Sequence, residues 1–195
     1  GIELVDSLPE NPKENTLYRY KDNVIGDLLL MSVDGQFKYI PLSTYPEVVI
    51  MTPKDILLQS SIRSGTPSDA VFISEEAFVH SSFSSGEGVK IFGKDNHNID
   101  YGIDIPINLI GKSAKNAFIY ICHSAENRDP GYVYLNGIQI YVTPNVVGRN
   151  IYEVPLSLVD DSINTISVTY TKDNTVTEND DAMYIFGIKY SVESI

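Results

Sequence analysis

Short apolar runs broken by turn residues dominate the chain, and few of them follow the three-to-four spacing of an amphipathic helix. Residues 17–20, 27–33 and 36–42 have the length and apolar content of strands. Between the last two, Asp34-Gly35 accepts positive φ at both positions and predicts a two-residue hairpin turn. A segment of this size, residues 1–42, is too short for a core of its own, because below about 40 residues a domain usually needs disulfides, metals or assembly. It has no cysteine, so it is expected to pack on another copy of itself or on neighbouring chain.

Residues 43–67 carry Pro46, Pro53 and Pro67 with Ser60, Ser61 and Ser64, and read as a connector. Within it, Thr52-Pro53 predicts an N-cap and first helical position for a short helix over 54–59. From residue 68 on, strands are expected at 70–73, 89–92, 101–107, 117–122, 132–135, 138–142, 151–156, 165–170 and 183–190. That spacing, with no long helix and no internal repeat, predicts an all-β protein: a small hairpin module (1–42), a linker (43–67) and a β-sandwich (68–195).

One hairpin can be read residue by residue. Asn136-Gly137 is a strong two-residue turn signal that would set Leu135 opposite Ile138, Val133 opposite Ile140 and Tyr132 opposite Tyr141. Side chains alternate between faces. Val133, Leu135, Ile138 and Ile140 would then face the core, while Tyr132, Tyr134, Gln139 and Tyr141 would point outward. Such a tyrosine face is open to three readings: strand residues covered by a loop, a platform for sugar rings, or an oligomer contact.

Composition narrows the functions. Thirteen Tyr and seven Phe, with no Trp, agree with a strand-rich fold. The net charge of -12 argues against a nucleic-acid partner, which needs a basic stripe. Residues 68–195 hold eight bases and seventeen acids, so most of the acidic excess lies on the sandwich. No apolar run reaches spanning length, so no membrane insertion is expected. A first residue of Gly rather than Met suggests a processed or partial N-terminus.

Little in the sequence points to catalysis, and the chain is not expected to be an enzyme. The lone Cys122 precludes an internal disulfide. Its neighbour His123 would lie on the opposite strand face, so the two form no dyad; a buried Cys and an exposed His are expected. His80, His97 and His123 lack metal-ligand spacing, and Gly86, Gly88 and Gly93 lack that of a phosphate loop. The run from Asp95 to Asp100 departs from a calcium-loop pattern at Ile99. Glu75 and Glu76 follow the first sandwich strand, and Asp180 and Asp181 precede the last. Were those strands neighbours, the four carboxylates would supply oxygen ligands for a structural Ca²⁺.

Two stretches carry family resemblances. Val5-Asp6-Ser7-Leu8-Pro9, Glu14 to Arg19 (ENTLYR) and Asp34 to Ile40 (DGQFKYI) resemble a small module that recurs in tail-fibre, head-fibre and baseplate proteins of bacteriophages. That resemblance covers residues 2–42 and implies a trimeric virion protein, partnered by capsid or tail proteins at the particle surface. Residues 68–195, through Ile103 to Ile107 (IDIPI), Gly131 to Gly137 (GYVYLNG), Val154-Pro155-Leu156, Ile163 to Val168 (INTISV) and Ile185 to Ile188 (IFGI), are similar to galactose-binding-like jelly rolls. That likeness implies a sugar held by strand-face or loop aromatics and a structural calcium. Together they lead to the expectation of a homotrimeric bacteriophage fibre or capsid decoration that contacts host-surface glycan through Tyr132, Tyr134, Tyr141 and Gln139. The alternative is a carbohydrate-binding accessory module of a secreted bacterial polysaccharide-degrading enzyme.

Overall fold

The computed structural model describes residues 2–22, 26–40, 47–75, 78–80, 83–92, 100–123, 130–144, 150–171 and 182–195. It divides into two compact units, residues 1–45 and 46–195.

In the first unit, β1 (Ile2–Val5), β2 (Leu17–Asp22), β3 (Gly26–Val33) and β4 (Gln36–Ile40) form one sheet in that order. β1 lies parallel to β2, and the rest are antiparallel. The β3–β4 turn is as the sequence predicts: Asp34 and Gly35 have φ of 53° and 72°. The Glu14 carboxylate accepts the Asp34 and Gly35 amides at 2.9 and 3.4 Å, which ties the β1–β2 connection to this turn. One face of the sheet buries Tyr18 and Leu30, with Phe37 packed edge-on against Tyr18 at 5.6 Å. On the same face the Tyr18 hydroxyl accepts the Lys13 amide at 2.9 Å, and the Ser32 hydroxyl donates to the Lys13 carbonyl. Registers put Ile2, Leu17, Met31 and Lys38 in one row of the opposite face and Leu4, Arg19, Leu29 and Ile40 in the next, and none of the eight is buried.

Among the described residues the second unit is all-β apart from a single α-helix and one 3-10 turn. β5 (Glu47–Met51), α1 (Pro53–Gln59) and β6 (Ser61–Ile62) come from the segment that reads as a connector. The apolar run of β5 sits between prolines, a context that disguises an edge strand. α1 starts at a reciprocal cap: Thr52 Oγ1 accepts the Asp55 amide at 3.3 Å, and Asp55 Oδ2 accepts the Thr52 amide at 3.0 Å. The Thr52 amide and the Thr52 hydroxyl, which also donates to Asp55 Oδ2 at 2.9 Å, hold the Asp55 carboxyl below its ordinary range.

The remaining strands are β7 (Val71–Ser74), β8 (Phe78–His80), β9 (Phe83–Ser85), β10 (Gly88–Phe92), β11 (Tyr101–Asn108), β12 (Lys112–His123), β13 (Gly131–Leu135), β14 (Ile138–Val142), β15 (Tyr152–Leu156), β16 (Ile163–Tyr170) and β17 (Ala182–Ser194). One sheet runs β15-β12-β17-β10-β7, and β5 joins it on β17 beyond β10. A second runs β14-β13-β16-β11-β6, while β8 and β9 pair separately. Ile119, Ile121 and Ile185 from the first sheet and Ile103, Ile105, Ile166, Val168 and Val133 from the second share one fully buried cluster. Ile56 of α1 joins it. A two-layer sandwich follows, because each sheet buries one apolar face against the other. Among the described residues no helix is long and apolar enough to cross a membrane.

Candidate functional site

The Asn136-Gly137 turn forms as predicted, with φ of 51° and 81°. Asn136 serves it twice, since its side chain also accepts the Thr165 amide at 2.8 Å and donates to buried Asn164 at 3.0 Å. The register beyond the turn differs from the simple alternation. Leu135 pairs with Ile138 and Tyr134 with Gln139, but Val133 then pairs with Tyr141 and Tyr132 with Val142. Ile140 is the extra residue of a β-bulge, which reverses the facing of every position after it.

The bulge splits the predicted tyrosine face. Tyr141 turns inward with Val133, packs on the main core and meets Tyr152 at 6.2 Å. Burial, then the nearby Tyr152, raises its hydroxyl pKa. The predicted aliphatic face is corrected too: Val133 and Leu135 are buried, whereas Ile138 and Ile140 are exposed. Tyr132 and Tyr134 remain together on the outer face, half-buried, with ring centroids 6.3 Å apart. Gln139, opposite Tyr134, shares their face and is exposed.

Register extends this face into a polar array. Gln139, Tyr134, Ser167, Asp104 and Ser61 stand in one row across five strands. Tyr132, Thr169 and Gly102 stand in the next. Asp104 Oδ1 accepts Arg63 Nη1 at 2.9 Å and the Ser167 hydroxyl at 2.5 Å. Thr66 Oγ1 accepts the Gly102 amide at 3.0 Å, so the chain after β6 is fastened beside the row. A Cβ on Gly102 would lie 2.3 Å from the Val168 carbonyl and 3.1 Å from Thr169, so the glycine permits this close approach. Thr169 Oγ1 is buried beneath the row without a hydrogen-bond partner in the structure. Burial raises the Tyr134 hydroxyl pKa, with Asp100 and Tyr132 adding to the shift and Arg63 opposing it. The sequence reading missed Arg63, Asp104 and Ser167; for Asp104 and Ser167 the signal was a polar residue alternating with buried apolar ones along β11 and β16, whereas Arg63 lies beyond β6 and carried none.

A second depression lies on the outer face of the other sheet. It is a cleft of about 370 Å³ lined by Val48, Asn116, Phe118, Tyr120, Glu153, Lys189 and Ser191. None of these was singled out from the sequence, although Asn116, Phe118 and Tyr120 alternate along one strand.

Of the expected calcium ligands, Glu76, Asp180 and Asp181 lie outside the described residues, and Glu75 is exposed at the end of β7. His97 and most of the run from Asp95 to Asp100 also lie outside them. Among the described residues no group of three or more His, Cys, Asp or Glu side chains is close enough to hold a metal ion. Cys122 and His123 do occupy opposite faces, Cys122 in an outer cluster with Tyr184 and Phe186, and His123 paired with Met183. His123, however, is 2% exposed rather than solvated. Its pKa is lowered by burial, and its Nδ1 has no partner in the structure.

No protein-family model matches the chain, and no curated protein matches its sequence. Several solved structures are similar. The mannanase with a family 35 carbohydrate-binding module from Podospora anserina is 14% identical with a TM-score of 0.43, over 76% of this chain but 28% of its own. The CBM36-1 domain of a multidomain xylanase from the hindgut metagenome of Trinervitermes trinervoides is 10% identical with a TM-score of 0.43, over 76% of this chain and 100% of its own. A family 35 carbohydrate-binding module from Clostridium thermocellum is 14% identical with a TM-score of 0.37, over 76% and 99%. At these identities and scores the likenesses carry no functional weight.

Proposed function

We propose that the sandwich is a non-catalytic carbohydrate-binding module, of the kind that accompanies a secreted polysaccharide-degrading enzyme. The observation that supports it is the Tyr132–Tyr134 pair standing on one outer face beside Gln139, Arg63, Asp104 and Ser167. Sugar rings have an apolar C–H face and a polar rim, and this surface offers both complements: two aromatic rings, and donors and acceptors already held by one another. Asp104 and Arg63 are pre-positioned by their mutual bond, which lowers the ordering cost of binding.

Saturation-transfer NMR with neutral and acidic oligosaccharides tests this reading. Tyr132→Ala with Tyr134→Ala should weaken binding by about 2 kcal/mol, roughly thirtyfold, as two aromatic contacts are lost. Tyr141→Phe should leave binding unchanged, since its ring faces the core. Equal binding by the double variant and the parent would overturn the assignment.

A second reading has its own support. The exposed apolar residues on one face of the N-terminal sheet, Ile2 and Leu4 among them, favour mounting of the module on an oligomer, such as the trimeric bacteriophage fibre whose module residues 2–42 resemble. A sample that sediments as one chain at every concentration would overturn that assembly and leave the sugar-binding reading standing.

A further inference from the structure

We propose that the cleft on the outer face of the β15-β12-β17-β5 sheet is a second binding site, for a neutral oligosaccharide, on the side of the sandwich opposite Tyr132 and Tyr134. The choice of ligand class rests on the glycan-binding reading; the site itself rests on separate residues.

A β-bulge makes the concavity. β12 pairs Lys115 with Ser191 and then Phe118 with Lys189, so Asn116 and Ala117 face a single residue of β17. Asn116 takes φ of 51°, a left-handed conformation that Asn tolerates better than most residues. Such a bulge bends its strand and increases local twist. The cleft of about 370 Å³ sits here, within the usual range for small-molecule sites of roughly 300–1,000 Å³. It continues into a smaller hollow of about 70 Å³ through the shared residues Asn116 and Ser191. Two joined hollows along a strand pair fit a chain of rings better than a single compact ligand.

The lining selects the chemistry. Phe118 is half-buried at the margin of the Tyr120–Tyr184–Phe186 cluster, and Val48 is 54% exposed on the edge strand. They give the cleft an apolar floor and an apolar wall. Around them stand Glu153 as an acceptor, Lys189 as a donor, and Asn116 and Ser191 as both. Tyr120 and Glu153 are cross-strand partners of β12 and β15, so both side chains are set on the cleft by the strand pairing. One anion and one cation leave the lining uncharged overall. An acidic sugar would meet Glu153 and an amino sugar would meet Lys189, whereas neutral vicinal hydroxyls satisfy both. The smaller hollow repeats the pattern with Lys115 and Glu193.

Two sites on opposite faces would let one chain engage two strands of a polysaccharide, or one strand twice, with a gain from effective concentration. Calorimetric titration of the full chain with cellohexaose, mannohexaose and xylohexaose tests the site. The expected result is two molecules bound per chain for at least one of the three. Phe118→Ala should remove one of them, by tenfold or more in affinity, while Tyr132→Ala with Tyr134→Ala removes the other. Asn116→Gly keeps the left-handed backbone and deletes only the amide, so it should weaken the same site by about fivefold, and it carries the test if Phe118→Ala unfolds. One molecule bound, abolished by the tyrosine variants and untouched by Asn116→Gly and Phe118→Ala, overturns this site and leaves the tyrosine face standing. One molecule abolished only by the cleft variants supports this site and removes the tyrosine face. No heat with any of the three overturns it.

Discussion

The two units of the chain dispose of similar aliphatic sequences in different ways. In the sandwich, alternating strands from two sheets bury Ile103, Ile105, Ile119, Ile121, Ile166, Val168 and Ile185 completely. In the N-terminal sheet, Tyr18 and Leu30 are the buried hydrophobics among the described residues, while Leu4 is 76% and Ile2 57% exposed. The lesson is that apolar periodicity specifies a face, and only a second layer turns that face into a core. A single four-stranded sheet has one side closed by its own β1–β2 connection, through Lys13 and Ser32.

The largest test of this contrast lies in the sandwich. Ile105→Ala should cost about 2–5 kcal/mol, because a fully buried branched side chain leaves a cavity between layers. Gly131→Ala should cost less, about 1–3 kcal/mol: its Cβ would fall 2.1 Å from Met183 Sδ, and that flexible side chain must shift within the core layer. Chemical denaturation with two probes, one for each unit, would read the change. Loss of the N-terminal transition together with the sandwich transition would show the units to be energetically one, and would break the contrast.

The N-terminal unit should respond on a smaller scale, and to polar changes. Tyr18→Phe removes the acceptor of the Lys13 amide and should cost about 1 kcal/mol. It should lower the first transition and leave the second in place. An unchanged first transition would mean that the connection is held by the Glu14 contacts with the β3–β4 turn instead.

Acidification should separate the units again, since all three histidines lie beyond residue 68. Burial lowers the His123 pKa below its ordinary 6.5, so the unfolded chain takes up the proton first. The contribution of His123 is therefore complete above about pH 6.5 and declines as the pH falls toward the lowered folded value. A sandwich melting point that drops between pH 6.5 and 5, and drops less in His123→Gln, is the expected result. A flat profile in the parent would show that the imidazole gains a proton without cost.

Much of this was legible in the sequence, for reasons that also explain the failures. The turns at Asp34-Gly35 and Asn136-Gly137 were readable because few residue pairs accept two positive φ values. The bulge at Ile140 was not: residues 138–142 are apolar or aromatic at four positions of five, so either facing suits them. One inserted residue therefore moved Tyr141 into the core and left Tyr132, Tyr134 and Gln139 as the candidate surface. Arg63 was hidden because it lies beyond a two-residue edge strand, and only tertiary contact brings it to Asp104. In β12, Asn116 stands where the polar half of the strand (112–116) meets its apolar run (117–122), and the irregular backbone and the cleft fall at that junction.

The smallest expected effect is the most discriminating. Leu4→Ala removes a side chain that is 76% exposed, and an exposed site of this kind should shift stability by less than about 0.5 kcal/mol in dilute solution. If the face is closed by a second copy, the same substitution should cost more as protein concentration rises, because association stabilises by mass action. A concentration series of the parent and Leu4→Ala, read by the first melting transition and by light scattering in parallel, separates the two cases. Coincident, concentration-independent transitions mean that no second copy of the chain closes this face. A parent transition that climbs with concentration, and a variant that does not, means that its missing second layer is another molecule of the same chain.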